Sequence, residues 1–256
     1  MLSAIDHVVL AVSNLEDASQ ALREAGFDVV PGGRHPVGTE NALVPFADGT
    51  YIEVLGFREP NASHRWWPLL QRGGGVVDIC GTSDDLADDV AAFRKAGIPY
   101  SDPRELGRVR HDGHQLRFAV ANPTEDIGVI NFLCQDHTPR SERVPAGRPH
   151  PNGAKGLQRV LVAVPDLAKA RKCYEQVLGK LGREVERREL GARGVEFAIG
   201  RQKIEYLVPT REDGEIGHWL KQRGPSVYAA MLEVEGGKPI GVVEGANGAR
   251  LLAVLA

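Results

Sequence analysis

The sequence predicts an α+β protein made of paired β-α-β-β-β modules, duplicated along the chain with a degenerate second copy. Two segments that recur at a constant offset support this prediction. IDHVVLAVSNLEDA (Ile5 to Ala18) returns as LQRVLVAVPDLAKA (Leu157 to Ala170), and TYIEVLGF (residues 50–57) returns as QKIEYLVP (residues 202–209). A period this long indicates duplicated domains rather than the stacked units of a solenoid.

A third pair of segments strengthens the evidence for duplication. WWPLLQRGGGVVDI (Trp66 to Ile79) aligns with HWLKQRGPSVYAAM (His218 to Met231) after a shift of one residue. Each contains a short apolar helical turn, then Gln-Arg-Gly, then a run typical of a β-strand. Three matches in the same order predict two homologous halves.

The first module begins with an alternating strand and a capped helix. Asn14 or Ser13 can cap a helix from Leu15 to Ala25, and Gly26 ends it. Ala-Asp-Gly at residues 47–49 is a turn signal between two strands. The predicted strands are Ile5 to Val12, Phe27 to Val30, Ala42 to Phe46 and Tyr51 to Phe57, and the Gly- and Pro-rich stretch Pro31 to Asn41 is a predicted loop.

The same element order predicts a second module in the first half. A strand precedes a helix that Asp84 or Ser83 can cap, and Arg110 to His114 makes a turn between two later strands. The predicted elements are a strand from Gly75 to Thr82, a helix from Asp84 to Ala96, and strands near Gly107 to Arg110, Gln115 to Ala121 and Ile127 to Cys134.

Residues 138–156 are rich in proline, glycine and charge, so we expect a linker between a first domain at 1–137 and a truncated second domain at 157–256. The last module of the second domain is reduced, because Gly236 to Pro239 stands where a helix is expected. Its other predicted elements are a helix from Leu167 to Leu178 and strands at Gln158 to Val164, Arg183 to Glu189, Gly194 to Ile199, Lys203 to Val208 and Ser226 to Val234.

Composition indicates a protein of the cytoplasm with neither a nucleic-acid partner nor a membrane-spanning segment. The net charge of −3 is small, and acidic and basic residues are interspersed, which disfavours a nucleic-acid partner. No apolar run reaches membrane-spanning length, and the chain enters a strand without an export signal. The three cysteines lack metal or disulfide spacing, so we expect reduced core thiols.

The candidate site is the pair His7 and Glu53. Strand alternation puts His7 on one face with Ile5, Val9 and Ala11, and a carboxylate in an apolar strand needs a partner or a metal. Two interpretations stay open at this point. The pair is either functional, or it is a core histidine hydrogen-bonded to a carboxylate.

The second half has a different pair at the aligned positions. Arg159 replaces His7, and Glu205 replaces Glu53. A guanidinium and a carboxylate satisfy each other and leave no ligand for a metal. We therefore predict a structural ion pair between Arg159 and Glu205, with any active site confined to the first half.

These patterns resemble the vicinal oxygen chelate superfamily, which includes glyoxalase I, extradiol dioxygenases and bleomycin-resistance proteins. The likeness rests on the paired modules, the DHVVLAV first strand and the Tyr-Ile-Glu last strand. GGRHPVGTENALVPFADGTYIEVLGF and GRVRHDGHQLRF also resemble the bacterial glyoxalase-like domain proteins. The resemblance implies mixed sheets that curl into a cup around a divalent metal.

Carried over residue by residue, the resemblance implies a metal on His7, Glu53 and Asp78, with Asn131 at the fourth corresponding position. This donor set suits Mn²⁺, Fe²⁺ or Mg²⁺ better than tetrahedral zinc, although Ni²⁺ and Zn²⁺ stay open. Glu53 is also the candidate catalytic base. We expect the candidate substrate-binding residues to be His35, Asn41, Asn131 and His114.

The implied function is that of a metal-dependent lyase, isomerase or dioxygenase acting on a small oxygenated substrate in the first half. A metal-free small-molecule or antibiotic-binding protein is the alternative, and a vestigial structural homologue is the third interpretation. The modules of this superfamily pair within or between chains, so a homodimer is possible.

Overall fold

The structure, a computed structural model, describes residues 2–236 and 240–255. These residues form fifteen strands and six α-helices. The first half contains β1 (Ala4–Val12), α1 (Leu15–Glu24), β2 (Val30–Arg34), β3 (Thr39–Pro45), β4 (Tyr51–Phe57), α2 (Trp67–Gln71), β5 (Gly75–Thr82), α3 (Leu86–Lys95), β6 (Arg104–Arg110), β7 (Gln115–Ala121) and β8 (Phe132–Asp136). The rest contains α4 (Arg140–Arg143), β9 (Ala154–Ala163), α5 (Ala168–Leu178), β10 (Arg183–Arg187), β11 (Ala192–Ile199), β12 (Gln202–Pro209), α6 (Glu215–Arg223), β13 (Ser226–Val234), β14 (Val242–Val243) and β15 (Ala249–Leu255).

The first half closes into an eight-stranded barrel in the order β1-β4-β3-β2-β6-β7-β8-β5. Each module supplies four neighbouring strands. The modules meet where β1 runs antiparallel to β5, with Val9 opposite Asp78, and again where β2 pairs with β6. The prediction of paired modules in a curled mixed sheet is confirmed.

The second half forms an open seven-stranded sheet in the order β10-β11-β12-β9-β13-β15-β14. Its final module contributes only β13, β14 and β15, which agrees with the predicted degenerate copy. Gly236 lies in a bend, and residues 237–239 of the predicted helix replacement lie outside the described residues. No helix in the described part of the chain has the length and apolar character that crossing a membrane requires.

Several predicted element boundaries in the first half were wrong, including the starts of β3 and β6, which begin at Thr39 and Arg104. β2 begins at Val30 and runs through the predicted loop to Arg34, and β8 begins at Phe132 rather than Ile127. Glycine makes the course of β2 possible, because a Cβ on Gly32 would lie 2.0 Å from Asn41 Oδ1 and one on Gly33 would lie 2.2 Å from the Val109 carbonyl. The Gly-Gly pair is therefore a close strand contact rather than a loop signal.

The predicted linker packs against the barrel. Arg143 is 5% exposed, and it donates hydrogen bonds to Asp136 and to the Tyr51 hydroxyl. His150 is also buried, between the Asp28 amide and the Pro45 carbonyl. The segment is thus an ordered strap that belongs to the first half's packing, not a free connection.

The two halves share one apolar core. A single cluster of buried side chains includes Val8 and Leu10 of the barrel together with Val160 and Tyr206 of the second sheet. Tyrosine hydroxyls also join the halves: Tyr206 donates to the Val129 carbonyl at 2.8 Å and Tyr174 donates to Asn131 Oδ1 at 2.6 Å.

We expect Tyr174→Phe to lower the free energy of unfolding by about 1–3 kcal/mol, because the buried Asn131 amide oxygen loses its donor. Urea denaturation followed by circular dichroism measures this change. Tyr228→Phe is the matched control, since that hydroxyl contacts the half-exposed carboxylate of Glu215. Equal stability of the two variants would contradict the prediction.

Candidate functional site

The barrel encloses a cavity of about 90 Å³. Its wall combines apolar side chains with charged and imidazole groups. Its polar lining residues include His7, His35, Tyr51, Glu53, His64, Arg65, Arg104, Arg108, Asn122 and Arg143. Its apolar lining residues include Leu55, Trp66, Leu106, Phe118, Val120 and Phe132.

His7 reaches this cavity through a β-bulge at Asp6. Ile5 pairs with Gly81 and His7 pairs with Cys80, so Asp6 is the extra residue on β1. Val9 and Ala11 share the inner cluster of the barrel, as predicted, but the bulge moves Ile5 to the outer core. The same bulge brings the Asp6 carboxylate within 2.8 Å of His7 Nδ1.

The Asp6 carboxylate is buried, and it is held by two guanidinium groups. Arg143 Nη1 lies 3.1 Å from Asp6 Oδ2, and Arg140 donates to Asp6 Oδ1. With its proton on Nδ1, His7 donates to this carboxylate, and Nε2 carries the lone pair. His7 Nε2 is buried without a hydrogen-bond partner and faces Glu53 Oε2 at 3.5 Å.

Glu53 is an ionised carboxylate that lines the cavity. Its Oε1 accepts a 2.5 Å hydrogen bond from Asn41 Nδ2 and lies 3.7 Å from His35 Nε2. Burial alone would raise the pKa of Glu53. The close approach and charge of His7, together with the charge of His35 and the hydrogen bond from Asn41, outweigh burial and lower the pKa of Glu53 to about 2.

His35 is a neutral imidazole beside this carboxylate. Its Nδ1 contacts Thr39 Oγ1 at 3.0 Å, in the turn between β2 and β3. Burial lowers the pKa of His35, and the charge of Glu53 only partly opposes that effect. The structure therefore brings together His7, Glu53, His35 and Asn41, of which Asn41 acts through Glu53.

Asp78 does not join this group. Its carboxylate accepts hydrogen bonds from Trp66 Nε1 at 2.6 Å and from the Ile79 amide at 2.8 Å, and it forms an ion pair with Arg65 Nη2 at 2.9 Å. Burial raises the pKa of Asp78 against the opposing charge of Arg65. The predicted third metal ligand is thus occupied by protein donors.

Asn131 and His114 lie away from the cavity, in contrast to their predicted substrate contacts. Asn131 directs its amide to Tyr174 of the second half, and the exposed His114 contacts Glu142 at 2.7 Å. Strand pairing explains the different position of Asn131. In the first module Val9 pairs with Glu53. Its counterpart in the second module, Cys80, pairs with Phe132, so Phe132 rather than Asn131 corresponds to Glu53. A shift of one residue reverses the face of a strand, so Phe132 occupies the inward position.

The residues at the positions implied for a metal do not form a complete ligand set. Phe132 offers no ligand and Asp78 is engaged by Arg65. Asp6, His7 and Cys80 are the one group of described residues that could hold an ion, with one donor atom of each within 4.8 Å of the others. However, Asp6 already binds two guanidinium groups, and burial raises the pKa of the Cys80 thiol well above 9, so that it stays protonated.

Sequence reasoning missed Asp6 and the arginines of the wall. Asp6 adjoins His7, and strict alternation assigned it to the opposite face. Arg65, Arg104, Arg108 and Arg143 follow no short motif. Arg108 is 5% exposed, but its neighbours on β6 are the partly buried Gly107 and the exposed Val109, so no periodic pattern marks it.

The second half has an ion-pair cluster in the equivalent place. Arg159 Nη1 and Arg187 Nη2 each lie 2.5 Å from Oε1 of the fully buried Glu205. Arg187 was not foreseen as a partner. Two guanidinium groups saturate this carboxylate, so the arrangement offers no base or ligand of the kind seen in the first half.

A family comparison agrees with this architecture. The model of the glyoxalase-like domain matches residues 5–178, which is more than half of the chain. The chain belongs to the glyoxalase-like domain family. The resemblance to the vicinal oxygen chelate superfamily is confirmed, and the match includes the barrel, the strap, β9 and α5.

Relatives of this glyoxalase-like protein include enzymes. Mitochondrial methylmalonyl-CoA epimerase of Bos taurus is 38% identical over 81 residues, which is 31% of this chain and 46% of the epimerase, so the chain spans about half the length of that relative.

Solved structures show the same fold. A hypothetical protein from Staphylococcus aureus superposes with a TM-score of 0.73 at 13% identity and full coverage of both chains. A mutant 4-hydroxymandelate synthase from Streptomyces coelicolor superposes with a TM-score of 0.64 at 18% identity, over 91% of this chain and 71% of that one.

The lowered pKa of Glu53 predicts a pH-dependent contribution to stability. A depressed folded-state pKa stabilises the protein above the unfolded value of 4.5, and this stabilisation is lost as the pH falls toward about 2. The stability advantage of wild type over Glu53→Gln should therefore shrink between pH 7 and pH 3, by about 2 kcal/mol. Urea denaturation at pH 7, 4.5 and 3 measures it. The exposed Glu59→Gln is the control, and a pH-independent difference for Glu53→Gln would refute the prediction.

Proposed function

We propose that this glyoxalase-like barrel binds a small oxygenated compound and moves a proton at the carbon next to its carbonyl group. The observation that carries the proposal is the Asp6–His7 pair, whose free nitrogen, His7 Nε2, is buried at the cavity wall without a partner. A reaction of this kind belongs to the isomerase and epimerase class.

His7 is the group best placed to accept the proton. Asp6 holds the Nδ1 proton and orients the ring, in the manner of a carboxylate that supports a general base. Tyr51 stacks on the imidazole at 4.4 Å between centroids and Phe132 meets its edge at 5.6 Å. The lone pair of Nε2 is thus fixed in direction before any substrate enters.

Glu53 serves this reaction as a charge rather than as a base, which revises its predicted role. With a pKa of about 2 it binds protons too weakly to remove one from carbon at neutral pH. At 3.5 Å from His7 Nε2, its negative charge stabilises the imidazolium that forms when His7 takes the proton. His35, neutral and 3.7 Å from the same carboxylate, is the second group able to exchange a proton there.

Two further lines support the isomerase class over the lyase and dioxygenase alternatives. The protein relative with the higher identity is an epimerase, while the likeness to 4-hydroxymandelate synthase is one of fold. The two-histidine, one-carboxylate set typical of iron dioxygenases needs three converging donors, and the ligand atoms of His7, His35 and Glu53 are not all within 4.8 Å of one another, while Asp78 and Asp6 are bound to arginine.

We expect His7→Gln to lower the rate of proton exchange by about 10²–10⁴, because the general base is lost. Loss of the carbon-bound proton in D₂O, followed by ¹H NMR, measures the rate for a panel of 2-oxo acids and malonyl thioesters that includes methylmalonyl-CoA. The control is His111→Gln in the exposed turn after β6. Binding without exchange in the wild type would favour the sequestering protein instead.

Asp6→Asn tests the orienting role separately. It should shift the pH at which the exchange rate rises, since the amide no longer fixes the Nδ1 proton, while Asp6→Glu should restore part of the wild-type profile. Variants are compared only after circular dichroism shows native folding.

Metal analysis separates this mechanism from a metal-dependent one. After incubation with Mn²⁺, Fe²⁺, Mg²⁺, Ni²⁺ or Zn²⁺ and dialysis, we expect less than about one tenth of an equivalent of bound ion. Asp6 and Asp78 are held by arginine, and the ligand atoms of His7, Glu53 and His35 are not all within 4.8 Å of one another. Atomic emission measures the content. One equivalent of ion in the wild type that is lost in His7→Ala and Glu53→Ala would overturn the proposed mechanism.

A further inference from the structure

Arg108 is a buried cation of the cavity lining that has no role in the proton transfer described above. It lies on β6, is 5% exposed and lines the cavity. Its Nη2 donates to the Arg143 carbonyl at 2.7 Å, and its Nη1 donates to Asn41 Oδ1 at 3.3 Å. Its Nε is buried and has no hydrogen-bond partner.

The other enclosed arginines of the wall have carboxylate partners. Arg65 pairs with Asp78 at 2.9 Å, and Arg143 pairs with Asp136 at 2.5 Å and with Asp6 at 3.1 Å. Within residues 2–236 and 240–255, no carboxylate lies within ion-pair distance of Arg108. Glu53 acts on it only over a longer range, and burial lowers the pKa of Arg108.

A buried guanidinium without a counterion is costly, and an anion from solution would remove that cost. We propose that Arg108 binds the carboxylate of the substrate, through its charge and its free Nε–H. Carboxylate binding here rests on the proposed function, because it supplies the compound on which His7 acts.

The remaining wall narrows the substrate class. Leu55, Leu106, Phe118 and Val120 contribute apolar surface to the lining, and the cavity volume is about 90 Å³. A short aliphatic acid with a second oxygen matches this combination of a buried cation without a carboxylate partner, apolar surface and the His7–Glu53 pair.

Binding of five small probes tests the proposal. Isothermal titration calorimetry compares lactate with lactamide and pyruvate with pyruvamide, so that each acid is matched by a neutral analogue of similar size. The wild type should bind each acid at least about tenfold more tightly than its amide, a difference of ~1.4 kcal/mol. Inorganic phosphate is the third kind of probe.

Variants at two arginines then assign the preference. Arg108→Met should abolish it, Arg108→Lys should keep part of it, and Arg34→Met, at an exposed position on β2, should leave it unchanged. The lysine variant guards against a folding defect, because it keeps the charge. His7→Gln should retain the acid preference, so a failed proton-transfer mechanism is distinguishable from failed carboxylate binding.

Three results would overturn the role of Arg108. One is equal binding of acids and amides by the wild type, or no binding of either. Another is an acid preference that survives in Arg108→Met. The third is tighter binding of phosphate than of any of the carboxylates, which would assign the cavity to a different anion.

Discussion

The buried carboxylate of Asp6 is the contact on which the candidate site depends. It orients His7 on the cavity side, and on the other side it is bound by Arg140 and Arg143 from the strap that follows β8. Each of these charged groups is costly to bury alone and favourable as a network. One side chain thereby couples the first strand of the barrel, the cavity wall and a segment more than 130 residues away in sequence.

The duplicated module shows how two partners decide what a buried glutamate can do. Glu53 is surrounded by imidazole and amide groups that leave it charged and accessible to the cavity. Its counterpart Glu205 is fully buried and bound by two guanidinium groups. Equivalent strands thus present a cavity-facing carboxylate, Glu53, in one half and a buried ion pair at Glu205 in the other.

Periodicity was sufficient to predict most of the fold, because alternating strands and capped helices are local signals. Tyr51–Phe57, Gln115–Ala121 and Ser226–Val234 have the predicted bounds. The site was only partly predictable. His7 and Glu53 follow from alternation. The position of Asp6 depends on a bulge, and that of Asn131 depends on a strand pairing that differs by one residue from the predicted one. Arg108 gains meaning only when the barrel closes around it.

The apolar core that runs through both halves has a consequence for how such a chain can change. The second sheet offers no comparable cavity base among its described residues, yet its Tyr174 and Tyr206 pack in the same core as the barrel strands. Separation of the copies would expose that shared face to water. The two halves are therefore held together by packing, and the second sheet covers part of the core of the barrel.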